Sequence, residues 1–303
     1  MSRILVPLDG SELAEHVLPY VIKLARLKGL EVQLLHVLSG LPYLGVELET
    51  GLFTKITDDT TTLGAPPADH MLDARTEAEA YLNKQAERLR AEGLVVGTYI
   101  ADGRPAEQIV EIGATAALIA MATHGYSGLR RWALGSVTDE SLRSASTPIF
   151  VVRSEKSDWN LHKILVSLDG SDLARLALKP AFELARLAGA EVHLLTVVPP
   201  SVGQFDPELR LDSDGRVKMR ERLLKEPADA GVDTTGINVT AHVTEGFVAD
   251  AITEEGQKLG IDLIVMASHG YGGWRRFSLG SVTDKVMHAT TIPMFVIPHH
   301  THE

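Results

Sequence analysis

One chain of 303 residues carries the same pattern twice, and this duplication constrains the fold more than any other feature. ILVPLDGSELAEHVL at Ile4–Leu18 returns as ILVSLDGSDLARLAL at Ile164–Leu178, and EVQLLHVL from Glu31 returns as EVHLLTVV from Glu191, both 160 residues apart. A glycine-punctuated stretch, ATHGYSGLRRWALGSVTD at Ala122–Asp139, returns 145 residues later as ASHGYGGWRRFSLGSVTD at Ala267–Asp284. The period is too long for a solenoid and suits a duplicated domain. The repeats predict domains at 1–154 and 160–303 around a joint at 155–159, within the polar stretch Ser154–His162 read as a linker.

Inside each copy, short apolar runs alternate with helical spacing. In the first, Ile4–Leu8 precedes a helix over Leu13–Leu27, then Val32–Leu38, a charged helix over Asp73–Glu92 and a strand at Val95–Ile100. A helix at Pro105–Gly113, a run at Ala117–Met121, a helix at Ser136–Ser144 and TPIFVVR complete the cycle. Strands alternating with helices indicate βαβ units and a parallel sheet. Runs apolar on both faces, such as ALIAMA and DLIVMA, suit buried central strands. The expectation is two tandem, open-twisted, parallel five-stranded α/β domains related by a pseudo-two-fold axis. Ser39–Leu72, rich in Gly, Thr and Pro, reads as an irregular surface excursion.

The net charge of −11 argues against a broad nucleic-acid surface. No apolar run reaches the ~20 residues of a membrane helix. The N-terminus enters a strand pattern at once, and there is no cysteine. The reading is a cytoplasmic protein without disulfides or thiolate metal sites.

In open parallel sheets, ligands sit beyond the carboxyl ends of the strands where strand order reverses. Asp9-Gly10-Ser11 and Asp169-Gly170-Ser171 stand there, as do Met121 and Met266 where the glycine stretches begin. Gly135-Ser136-Val137-Thr138-Asp139 and Gly280-Ser281-Val282-Thr283-Asp284 follow. Ser136 three residues before Asp139 reads as a capping box opening a helix, and such a box needs no ligand. The same helix start, with free amides, a favourable dipole and a glycine before it, makes an anion site. The Ser and Thr hydroxyls could donate to phosphate oxygens. Gly125, Gly128, Gly135 and their counterparts Gly270, Gly273, Gly280 leave the loop poor in side chains, which favours a phosphate-bearing ligand.

On these residues the chain resembles a tandem universal stress protein over nearly its whole length. The ATP-binding branch of that family has Gly-x2-Gly-x9-Gly-Ser/Thr after the fourth strand. Here the aligned residues are Ala122, Gly125, Gly135, Ser136 and Ala267, Gly270, Gly280, Ser281, with alanine at the first glycine in both copies. The resemblance implies ATP as ligand, with Mg2+ as its natural companion. It sets Asp9 and Asp169 at the adenine edge, beside Pro7, Leu8, Ser167 and Leu168, with the backbone of Val37 and Val197 closing the base pocket. Met121 and Met266 would lie beside the nucleoside. Gly125 and Gly135–Thr138, then Gly270 and Gly280–Thr283, would line the phosphates. Asp9 and Asp169 serve equally well as caps for the helices that follow them.

Gly103 and Gly246 fit either a ribose-side contact or a plain turn. His124 and His269 fit a phosphate contact or a backbone hydrogen bond. Arg130-Arg131 and Arg275-Arg276 fit a phosphate partner or a solvated face, while Trp132 and Phe277 read as loop anchors. The tail histidines His299, His300 and His302 read as a disordered end rather than a metal site. No Walker lysine follows the glycines and no nucleophile stands with a base, so no catalytic residue is assigned. The expected function is an ATP-binding module of a stress response, with unidentified protein partners. A slow ATP hydrolase and a nucleotide-free scaffold are the alternatives. The last strands are expected to pair within the chain as an internal pseudo-dimer, which leaves a further homodimer open.

Overall fold

The computed structural model describes residues 2–39, 68–123, 135–153, 158–200, 213–268 and 280–299. The first half runs β1 (Arg3–Pro7), α1 (Glu12–Glu15), α2 (Leu18–Lys28), β2 (Glu31–Leu38), α3 (Ala68–Ala91), β3 (Val96–Asp102), α4 (Pro105–Gly113), β4 (Leu118–Ala122), α5 (Ser136–Ser144) and β5 (Ile149–Val152). The second repeats it: β6 (Lys163–Ser167), α6 (Asp172–Arg175), α7 (Leu178–Ala188), β7 (Glu191–Val198), α8 (Ser213–Asp229), β8 (Val239–Glu245), α9 (Val248–Leu259), β9 (Leu263–Ala267), α10 (Ser281–Ala289) and β10 (Met294–Ile297). The expected strands and helices are present in both halves.

Three local expectations are corrected. The single helix read over Leu13–Leu27 is broken at His16–Val17, because Pro19 lacks the amide that would bond the Glu15 carbonyl. Pro180 breaks the second copy in the same place. The irregular excursion ends earlier than read, since α3 already begins at Ala68; residues 40–67 lie outside those described.

Within each half every strand pair is parallel, in the orders β3-β2-β1-β4-β5 and β8-β7-β6-β9-β10. β5 and β10 then pair antiparallel, Phe150 opposite Phe295, so the halves share one ten-stranded sheet. Alternation along each strand feeds two cores. Ile4 and Val6 face the layer of α2, α3 and α7, while Leu5 faces the layer of α4, α5, α9 and α10. Because the halves meet antiparallel in one sheet, their strands point in opposite directions. The carboxyl ends of β4 and β9 therefore lie at opposite ends of the molecule.

The stretch read as a polar linker is partly core. Trp159 is 5% exposed and packs on Tyr20 and Phe150 of the first half, with ring centroids 5.1 and 5.9 Å away. Its indole Nε1 donates to the Asp262 carbonyl at 2.9 Å. The Asp262 carboxylate accepts from the amides of His162 and Lys163, each at 2.9 Å. An indole that spans both halves is a seam residue. Trp159→Ala is expected to cost about 3–5 kcal/mol in urea unfolding. A loss below about 1 kcal/mol would deny the seam this weight.

A second buried feature belongs to the second half alone. His193 and His242 stack on β7 and β8 with centroids 5.3 Å apart, and His193 Nδ1 lies 3.1 Å from His242 Nε2. Thr240 Oγ1 is within 2.9 and 3.2 Å of the same two nitrogens. Burial holds both imidazoles below the usual histidine range; His242 and then Lys163 press His193 further down against Glu191, while Arg220 and Lys258 lower His242 against Glu255. In the unfolded chain they titrate near ~6.5. Their neutral packing therefore stabilises the fold fully above that pH, and the contribution is lost as pH falls toward the lowered folded values. In the first half Gln33 holds the register place of His193. His193→Gln is expected to lessen the stability lost between pH 7.5 and 5.5 in chemical denaturation; an unchanged loss would assign the acid sensitivity elsewhere.

Candidate functional site

In each half strand order reverses at the first strand: β1 has β2 on one side and β4 on the other, and β6 has β7 and β9. The crevice opens between the carboxyl ends of β1 and β4, and of β6 and β9. The chain is closed onto this point by short ties. The Thr123 amide continues the ladder to the Val152 carbonyl at 2.8 Å, and Thr123 Oγ1 accepts from the Gly135 amide at 3.2 Å. In the second half the Gly280 amide donates to the Ser268 carbonyl. The glycine loop thus returns to the strand end it left, and helices α5 and α10 start at the crevice.

Those helix starts correct the capping-box reading. Gly135 and Gly280 are the N-caps, with φ near −59° and −56°, and neither helix has a side-chain cap bond. Ser136 and Ser281 occupy the first helical position, exposed, and the first helical bond is the Asp139 amide to the Gly135 carbonyl at 2.9 Å. The amides of Ser136, Val137 and Thr138, like those of Ser281, Val282 and Thr283, have no acceptor among the described residues. Three convergent donors at a helix N-terminus are what an anion requires. The hydroxyl expectation is corrected for one residue. Thr283 is 3% exposed and its Oγ1 donates to the Ala267 carbonyl at 2.9 Å, so it offers a ligand its amide only.

The first-turn aspartates would oppose an anion if their charge were free. Arg143 removes it from Asp139 by a two-point contact, Nε to Oδ2 and Nη2 to Oδ1 at 2.9 Å each. Asp139 in turn holds the Arg143 guanidinium above its ordinary pKa. Asp284 has Arg143 at 4.0 Å and His288 Nδ1 at 3.7 Å.

Asp9 is not the helix cap. Its Oδ1 accepts from the Ser11 amide at 2.9 Å and from Ser11 Oγ at 2.6 Å, while Ser11 Oγ caps α1 at the Ala14 amide, 3.1 Å. Asp169, Ser171 and Ala174 repeat this at 3.0, 2.6 and 3.1 Å. The turn needs φ of 89° at Gly10, open to glycine and strained for other residues. One carboxylate oxygen is spent on the turn; the other has no partner among the described residues and stands exposed at the crevice.

Two supports escaped the sequence reading. His36 Nδ1 donates to the Leu8 carbonyl at 2.8 Å, and Thr196 Oγ1 donates to the Leu168 carbonyl at 2.7 Å. Each fixes the end of the first strand from the second, while the Leu8 and Leu168 amides bond the Leu35 and Leu195 carbonyls at 2.8 Å. Different residue types do the same work, so no shared letter marks the role.

Alanine in place of the first glycine proves harmless to the backbone. No described non-glycine residue has positive φ, and Ala122 and Ala267 are ordinary strand residues opposite Val152 and Ile297. Met121 and Met266, each 5% exposed, are core beneath the crevice, together with the half-buried Val37 and Val197. Pro7 and Ser167 end the first strands, half-buried. Gly103 has φ of 136° and its amide bonds the Leu38 carbonyl at 3.0 Å, so the turn alone accounts for it; the Gly246 amide bonds the Val198 carbonyl at 3.2 Å. His124, Gly125, Gly128, Arg130, Arg131 and Trp132 lie outside the described residues, as do His269, Gly270, Gly273, Arg275, Arg276, Phe277, His300 and His302. Among the described residues no group of three or more His, Asp or Glu could hold a metal ion, and no helix is long and apolar enough to cross a membrane.

Residues 1–153 and 160–298 each match the universal stress protein family. A universal stress protein of Mycolicibacterium smegmatis is 27% identical over 245 residues, 75% of this chain and 79% of that protein. One from Methanocaldococcus jannaschii is 32% identical over 146 residues, 46% of this chain and 83% of its own length. The crystal structure of a universal stress protein from Archaeoglobus fulgidus superposes with a TM-score of 0.72 at 24% identity, covering 99% of this chain and 97% of that one, which speaks for the shared fold. The chain belongs to the universal stress protein family and carries that family's domain twice in tandem.

Proposed function

We propose that each half binds an adenine nucleotide, ATP in the first place, and that occupancy of the two crevices lets this cytoplasmic protein modulate a stress response through protein partners. The observation that carries the reading is the pair of uncapped helix starts, each offering three amides at a strand-order reversal. The triphosphate would lie on the amides of Ser136–Thr138 and of Ser281–Thr283. The exposed carboxylate oxygens of Asp9 and Asp169 would accept from the exocyclic amine or a ribose hydroxyl. The donor set is main-chain N–H with one outlying carboxylate, which suits a phosphate anion. Mg2+ would arrive on the phosphates, whose oxygens are the ligands it prefers. The two crevices face opposite ends of the sheet, so both can be filled at once. A binding module is favoured over a hydrolase because the groups gathered at the crevice bind and orient, and none of the described ones is poised to activate water.

Proline is tolerated at the first helical position, where its φ suits the helix, and the extended φ and ψ of Gly135 and Gly280 suit a following proline. Ser136→Pro and Ser281→Pro therefore each delete one donor while keeping the helix. Wild-type protein at ATP about 100 times Kd should gain about 2.7 kcal/mol of stability per occupied crevice. Each substitution should weaken ATP at its own crevice by about 10–100-fold, the worth of a charge-assisted hydrogen bond, with little change in the nucleotide-free melting point. The measurements are thermal stability and calorimetry with ATP, ADP and GTP. Equal binding by the double variant, or no response of the wild type to millimolar ATP, would give the scaffold reading precedence.

A further inference from the structure

Helices α5 and α10 lie on the same face of the sheet, and the first half reaches α10 with two arginines. Arg143, near the C-terminus of α5, approaches Asp284 in the first turn of α10 at 4.0 Å. Arg153, just past β5, sends its Nη1 to the Met287 carbonyl at 2.8 Å and to the His288 carbonyl. These are among the last carbonyls of α10, which have no partner within the helix. Arg153 is 6% exposed, and a guanidinium so deeply buried needs acceptors that repay its lost water. The carbonyl end of a helix supplies them, together with the negative end of the dipole.

The main chain at the same place belongs to the other crevice. Val152 is paired with Ala122, and its carbonyl accepts the Thr123 amide at 2.8 Å, where the first glycine loop departs. One residue thus stands at the rim of the first crevice and holds the far end of the helix that opens the second. Among the described residues the relation runs one way. The place of Arg153 in the second half is taken by Pro298, which has neither amide nor side-chain donor, and that of Arg143 by His288.

We propose that Arg153 is a positioning residue for the second nucleotide crevice: by clamping the C-terminal carbonyls of α10 it sets the three amides at the N-terminus of that helix, so that the second crevice depends on the first half and the first does not depend on the second. The inference rests on the nucleotide reading for its ligand but not for the clamp itself. Phosphate at the N-terminus of α10 would draw on the helix dipole at one end while Arg153 anchors it at the other.

Arg153→Met keeps the aliphatic packing and deletes the donors, and Arg153→Lys restores a cation with fewer of them. In full-length nucleotide-free protein, hydrogen exchange of 281–289 should rise about tenfold in Arg153→Met, while 136–144 stays within about twofold, a difference expected from losing charge-assisted bonds at one helix. With Ser136→Pro as background, so that ATP reports the second crevice, Arg153→Met should raise Kd about tenfold and Arg153→Lys should recover most of the loss. With Ser281→Pro as background, reporting the first crevice, the Kd should move less than about twofold. Exchange that is unchanged in α10, or raised equally in α5, overturns the clamp, and affinities that shift together at both crevices overturn the one-way dependence. A wild type that binds no ATP refutes the nucleotide reading alone, and the exchange contrast still decides the clamp.

Discussion

The antiparallel pairing of β5 with β10 is the contact on which the rest of the architecture depends. Each half, taken alone, would end in an open strand edge at β5 or β10, an invitation to unwanted pairing. Joined, the two edges become the centre of a ten-stranded sheet, and both layers of core run across the junction. Phe150 shows this concretely: it sits in the junction register opposite Phe295 while its ring packs on Tyr20 and Trp159. Because the pairing is antiparallel within one sheet, the two crevices are turned to opposite ends. Helices α5 and α10 are brought together head to tail, so that each N-terminus lies toward the other's C-terminus.

In each half the chain solves two helix starts in opposite ways, one after the first strand and one after the neighbouring fourth. At α1 and α6 a serine closes the first turn on itself, with Asp9 or Asp169 bracing the loop. At α5 and α10 a glycine stands in the cap position and leaves three donors without an acceptor among the described residues. A glycine in place of a serine cap forgoes roughly a few tenths of a kcal/mol at each helix. Serine was available one residue later, at Ser136 and Ser281, and it is not used as a cap. The Asp139 carboxylate is held by Arg143, which also stands 4.0 Å from Asp284, rather than turned back onto the amides. Both choices leave positive potential at the helix starts, the condition on which the proposed anion reading rests.

Much of this was legible in the sequence, for reasons that differ by element. The repeat, the strand–helix alternation and the bounds of α4 and α5 follow from period and from Pro105 and Gly135, which act locally. The broken first helix was not read, although Pro19 and Pro180 signal it, because the apolar spacing of Leu13 to Leu27 runs through the break without changing phase. Trp159 was missed because one aromatic in a polar stretch looks exposed until the other half supplies its pocket. The capping box was misread by one residue. Ser-x-x-Asp has the right letters, but the chain enters the helix a residue early, so Asp139 pairs with Arg143 and not with the cap. His36 and Thr196 were invisible for a plainer reason: a bond to the carbonyl of Leu8 or Leu168 needs a donor at that register and nothing more specific.

The two copies also separate what must stay from what is free to drift. Side chains at matching places have diverged: His36 and Thr196, Gln33 and His193, Arg143 and His288, Arg153 and Pro298. The main-chain arrangement at the crevices has not, down to a glycine cap, an exposed serine and a buried threonine at each helix start. A site built from side chains would have been reshaped by such drift. One built from amides survives it, since every residue but proline supplies the same donor, and the backbone needs only glycine before it and a strand end to return to. What the divergence can alter is how firmly each helix is held. Arg153 makes that difference physical, for it gives α10 an anchor in the other half that α5 cannot be given by a proline. On the proposed reading, a duplicated fold of this kind keeps its ligand chemistry common to both halves and places the inequality between them in the supports behind the crevices.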